Sequence, residues 1–169
     1  MKKLLALLLC CILVFGMNGC AANFSEDENY AISCAKKLKS YCKSPTSFAL
    51  DGDVLVFTTE STQKKSVICY FEYSAENSFG VLLANNAVFC DGEYLGSTDD
   101  MHDEADEDSQ KADALHDSGG DWKTVSEHEL FLRGILVDFY GIRLVAKVTG
   151  NIPENGTLIS QDLVMRAIK

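Results

Sequence analysis

The chain has 169 residues, 25 acidic against 15 basic, and a formal net charge of −10. That balance disfavours a nucleic-acid partner, because phosphate recognition needs clustered Lys and Arg. Setting aside residues 1–19 leaves 150 residues with 13 bases against 25 acids, a net −12, and enough chain for one domain with its own core.

Residues 1–19 stand apart because of their pattern. Lys2 and Lys3 precede a twelve-residue apolar run, Leu4 to Phe15, and the stretch closes on Gly16-Met17-Asn18-Gly19-Cys20. Positive flank, short apolar core and small-residue exit describe an export signal. The run is shorter than the roughly 20 apolar residues that a membrane span needs. Gly19-Cys20 resembles the end of the bacterial lipoprotein signal, with Met17 where Leu is usual and Asn18 where a small residue is usual. The resemblance implies cleavage before Cys20, a diacylglyceryl thioether on its sulfur, and an acyl group such as palmitate on the new amine. The chain would then be anchored on the extracytoplasmic face of the cell membrane. Cys10 and Cys11 fall in the removed segment.

Residues 20–25 read as a tether of at most about 20 Å, at roughly 3.5 Å per residue. Ser25 with Glu28 makes a capping box, and Ala31, Cys34, Ala35, Leu38, Tyr41 and Cys42 recur at helical spacing. These signals predict a helix over about 26–43, stopped by Ser44-Pro45. Strands follow at Val54–Thr58 and Val67–Tyr73, then a hairpin from Ala87–Cys90 to Glu93–Leu95 around Asp91-Gly92, which suits a type I′ turn. The first two strands are apolar on both faces and so need a cover on each. The N-terminal helix supplies one cover, and the C-terminal third should supply the other. The expected fold is α+β: an N-terminal helix on a small antiparallel sheet (26–96), an acidic insert (97–123), and a C-terminal helix/strand region of the same domain (124–169). Ser126, Glu129 and Gly141 bracket a helix over about 126–140, with a strand at Ile142–Val148 and a short last helix capped by Ser160.

Between Asp99 and Asp121 stand ten acids and one base, Lys111, with few apolar residues. Dense like charge predicts disorder. The same stretch offers weak metal-ligand candidates, Asp99, His102, Asp103, Asp106, Asp108 and His116, in no recognised loop spacing. A solvated charge run is the simpler reading, and it would attract cationic partners only at short range.

Four cysteines remain after Cys20: Cys34, Cys42, Cys69 and Cys90. An even number in an exported chain suggests disulfides. Cys34 and Cys42 are about 12 Å apart along one helix, too far to join. With the helix running back over the first strands, the expected pairs are Cys42–Cys69 and Cys34–Cys90. Buried thiols are the competing reading. The spacings lack the short paired intervals of a zinc site and contain no Cys-x-x-Cys.

No Gly-x-Ser-x-Gly occurs, and His128 sits between Glu127 and Glu129 at a helix start, which reads as surface. Nothing couples a nucleophile to an oriented base, so the chain does not read as an enzyme and implies no cofactor. Lys43-Ser44-Pro45-Thr46-Ser47-Phe48 and Tyr73-Ser74-Ala75-Glu76-Asn77-Ser78-Phe79-Gly80 resemble a pattern in small uncharacterised lipoproteins of Gram-positive gut bacteria. The resemblance covers about residues 28–95 and implies fold and location, with no activity. Phe79 reads as a core plug and Asn77 as the cap of a bulge. The expected function is a lipid-anchored binding or interaction module, with an envelope protein or cationic peptide as partner. The alternatives are a weak divalent-cation binder using the acidic stretch and, further off, an envelope-polymer enzyme.

Overall fold

The structure is a computed structural model that describes residues 23–60 and 65–169. The signal, Cys20 and the first tether residues lie outside the described residues. Helix α1, Glu26–Tyr41, begins as the capping box predicts: Glu28 N–H donates to Ser25 Oγ (3.2 Å), and Ser25 N–H donates to Glu28 Oε2 (2.7 Å). It ends at Cys42, whose backbone is extended, and Pro45–Ser47 form a single 3₁₀ turn.

The strands are β1 (Ala49–Leu50), β2 (Val54–Thr59), β3 (Ser66–Glu76), β4 (Leu82–Cys90), β5 (Glu93–Gly96) and β6 (Gly156–Ile159). All pairings are antiparallel, in the order β5-β4-β3-β2-β6, with β1 alongside the far half of β3. Asp91 and Gly92 both take positive φ, 48° and 84°, as the predicted type I′ turn requires.

Alternation along the strands divides the core in two. On one face Val54, Val56, Cys69, Phe71, Ala87, Phe89 and Ile159 are buried beneath α1 and the short C-terminal helix α4 (Gln161–Ala167). On the other, Leu55, Phe57, Ile68, Tyr70, Val88 and Cys90 are covered by two helices, α2 (Thr98–Asp117) and α3 (Lys123–Thr149). The fold is thus α+β with both sheet faces covered, as the doubly apolar strands demand.

Two expectations are corrected here. The acidic stretch, expected to be disordered, is α2. Met101, Ala105 and Ala112 fall on one side of it and are buried, while most of its carboxylates face solvent. The helix α3 supplies partners for them: Arg133 Nη2 pairs with Asp106 Oδ1 at 2.8 Å, and His128 Nδ1 lies in hydrogen-bond contact with Asp108 Oδ2 at 2.7 Å. The second correction is that the helix of 126–140 and the strand of 142–148 are one helix. Gly141 costs about 1 kcal/mol in a helix interior, and packing of Leu136, Phe139 and Ile142 on the sheet offsets it. The stop is Gly150, left-handed at φ 74°.

The start of α2 carries a capping box that the charge count obscured. Asp100 N–H donates to Ser97 Oγ, and Asp100 Oδ2 accepts from Ser97 N–H (2.8 Å) and Ser97 Oγ (2.8 Å). These bonds, the backbone one first, hold the Asp100 carboxyl below its ordinary value. A carboxylate depressed in the folded state stabilises above its unfolded pKa of about 4 and loses that contribution as pH falls through the folded value. Ser97→Ala should therefore cost about 1 kcal/mol at neutral pH. It should also shallow the fall of the urea midpoint as the medium is acidified below about pH 5. Parallel curves for the two proteins would show that the box contributes nothing to the acid limb.

Candidate interaction surface

The longest strand, β3, outruns its neighbours. Its pairing with β2 ends at Tyr70, and beyond that only the two residues of β1 flank it opposite β4. On the other side β5 reaches only Val88–Cys90 of β4. The segment Leu82–Ala87 therefore has β3 on one edge and, among the described residues, no strand on the other.

The turn joining β3 to β4 is tightly built. Asn77 Oδ1 accepts from Phe79 N–H (2.9 Å) and Val81 N–H (3.1 Å), and Asn77 N–H donates to Val81 O (2.9 Å). Gly80 takes φ 75°, which favours glycine. Ser47 Oγ accepts from Glu76 N–H at 2.8 Å, so the 3₁₀ turn after α1 braces the base of the hairpin. Asp51 adds a second brace, accepting at Oδ1 from Ser74 Oγ (3.0 Å).

On this frame Phe79 is 88 % exposed, with Val81, Leu82 and Leu83 also exposed behind it. The expectation of a core plug is corrected. Asn77, expected to cap a bulge, organises a hairpin turn instead, and the turn lifts Phe79 to the apex, where no element among the described residues overlies it. Asn77, where the turn begins, stands about 27 Å along β3 from Cys69, at roughly 3.4 Å per residue. A large apolar group held out by a hydrogen-bonded turn, next to an unpaired strand edge, has the chemistry of a recognition element.

The metal-ligand candidates are not brought together. His102 stacks on Tyr140 (centroids 5.9 Å), Asp106 and Asp108 are taken by Arg133 and His128, and His116 lies edge-on to Trp122 (5.6 Å). Asp99 and Asp103 face solvent. Among the described residues no three His, Cys, Asp or Glu side chains form a group that could hold a metal. His128 is on the surface side of α3, as expected, though paired to Asp108.

A shallow cleft between β3 and α3 contains Tyr70, Glu72 and Arg143. Tyr70 Oη donates to Glu72 Oε1 (3.0 Å), Arg143 Nη1 meets the same oxygen at 3.3 Å, and the guanidinium lies 5.7 Å from the Tyr70 ring centroid. Burial, and then the bond to Glu72, push the Tyr70 phenol up to about 12. The group is internally satisfied and works as a clamp of α3 on the sheet.

The expected Cys34–Cys90 pair is also corrected. Ile68 and Cys90 are register partners on the face beneath α2 and α3, whereas Cys34 lies on the opposite face with Cys69. A Cys34–Cys90 bond would have to pass through the sheet. Cys42 sits at the end of α1 beside Tyr73 and Tyr94. Helix α1 crosses the strands, from Asp27 beside Thr157 of β6 to Tyr41 beside Tyr94 of β5, instead of running back along one.

No protein-family model, curated protein or solved structure matches the chain.

Proposed function

We propose that this protein is an interaction module of the cell envelope. It is held on the extracytoplasmic side by lipid on Cys20 and engages a partner protein through the β3–β4 hairpin. The observation that carries the reading is the exposure of Phe79 on a braced turn. Aromatic anchors that fill a partner's pocket dominate interface energetics. The open edge of β4 adds the main-chain donors and acceptors by which an extended segment can join a sheet.

The anchor rests on the residue pattern around Cys20, and α1 begins so soon after it that the domain is kept close to the bilayer. No helix among the described residues is long and apolar enough to cross a membrane. Intact-mass spectrometry of the full chain extracted from its own membranes tests the anchor. The expected mass is that of residues 20–169 plus a diacylglyceryl group, with or without a further acyl chain. A chain that keeps residues 1–19, or one cut without lipid, would remove the anchor from the proposal.

A further inference from the structure

One cross-strand row spans the whole sheet. Register partners run Thr157 (β6), Val56 (β2), Cys69 (β3), Phe89 (β4), Tyr94 (β5). Helix α1 lies along this row. Near its start Asp27 Oδ2 accepts from Thr157 Oγ1 (2.8 Å), and at its end Tyr41 packs on Tyr94 (centroids 5.7 Å). The lengths agree. Asp27 to Tyr41 spans about 21 Å of helix, and five strands span about 19 Å. Cys34 is midway between Asp27 and Tyr41, and Cys69 is the middle residue of the row. The midpoint of the helix therefore sits over the midpoint of the sheet, cysteine over cysteine.

The surroundings fit a close approach. Cys34 is 2 % exposed and Cys69 0 %, both in one core cluster. The neighbouring α1 residues facing the sheet, Ala31 and Ala35, are small and wholly buried. Small side chains let the helix settle near the strands, toward the 4.4–6.8 Å Cα separation a disulfide needs, order-of-magnitude limits of about one side-chain length. Tyr30, one turn before Cys34, fixes the approach. Its hydroxyl donates to Val67 O (2.9 Å) and accepts from Gly92 N–H (2.8 Å).

We propose that Cys34 and Cys69 are joined by a disulfide in the exported protein, tying the middle of α1 to the central strand. The proposal rests on the extracytoplasmic reading for its oxidant, which is a dithiol–disulfide oxidant of the envelope. One thiol loses its proton and attacks a sulfur of the oxidant disulfide, expelling the oxidant's other sulfur as a thiolate. The second cysteine, deprotonated in turn, attacks the mixed disulfide and releases the oxidant as a dithiol. Two protein thiols lose two electrons and two protons, and one oxidant disulfide gains them. Both sulfurs are inaccessible once α1 has docked, so the bond forms during folding.

Two arms test it. The full chain is extracted from its own membranes under thiol alkylation and digested without reduction. The peptide containing Cys34 should appear linked to that containing Cys69, with Cys42 alkylated. In the second arm the purified full chain is refolded with a glutathione–glutathione disulfide mixture, which decides the pairing whatever the location. Dithiothreitol should then lower the thermal midpoint of the wild type and leave that of Cys34→Ser unmoved. Retained residues 1–19 in the first arm would count against export alone. Alkylation of both cysteines in the refolded protein, or either one linked elsewhere, overturns the pairing.

Discussion

Replacing Met101 by alanine should cost the domain about 2–5 kcal/mol in urea unfolding. Met101 is 0 % exposed and packs with Ala105 among the residues of the second core face. Its loss leaves a cavity between α2 and the sheet that neighbouring side chains fill only in part. A solvated insert would answer differently, because changes at exposed positions stay within about 0.5 kcal/mol. Glu107→Ala, on the solvent side of the same helix, is the matched control and should fall within that range. Equal, negligible effects for both variants would return the acidic stretch to a disordered insert and leave the second face of the sheet to α3 alone.

Phe79→Ala should have the opposite profile. Its side chain touches almost nothing in the domain, so the urea midpoint should stay within about 0.5 kcal/mol of the parent. Affinity for the partner should fall by at least about 30-fold, equivalent to about 2 kcal/mol, as for a buried aromatic anchor. The contrast with Phe71 makes the point physical. Phe71 is wholly buried, edge-to-face with Phe89 at 5.9 Å. Its truncation should cost about 3–5 kcal/mol and lower every activity together. A Phe79 variant that destabilised the fold, or one that bound the partner as well as the parent, would contradict the role of the tip.

Much of the frame was legible in the residues. Ser25 with Glu28 announced α1, and Asp91-Gly92 announced the β4–β5 hairpin. The doubly apolar strands announced two covering layers. What failed did so for local reasons. Ten acids in one stretch masked the 101/105/112 spacing and the Ser97–Asp100 box, because the basic partners of the helix, Arg133 and His128, come from a segment distant in sequence. The apolar run after Gly141 looked like buried strand because it has few polar residues. In the structure only Ile142 of that run is buried, and Leu144, Val145 and Val148 face out. Phe79 looked like core because aromatic residues usually are, and only the bonding of the Asn77 turn shows that it is lifted clear. The placement of Cys34 on the same face as Cys69, and not with Cys90, escaped the spacing argument, since it depends on the crossing direction of α1, which spacing along one helix does not encode.

The claim that the hairpin tip meets a partner in the envelope is tested most directly by a photo-cross-linking residue placed at position 79 of the full chain in growing cells. A discrete adduct should form from position 79 and be lost when Leu82→Ser and Leu83→Ser are added. None of the same mass should form from position 107, on the exposed side of α2. No adduct from position 79, or the same adducts from both positions, would contradict the proposed function.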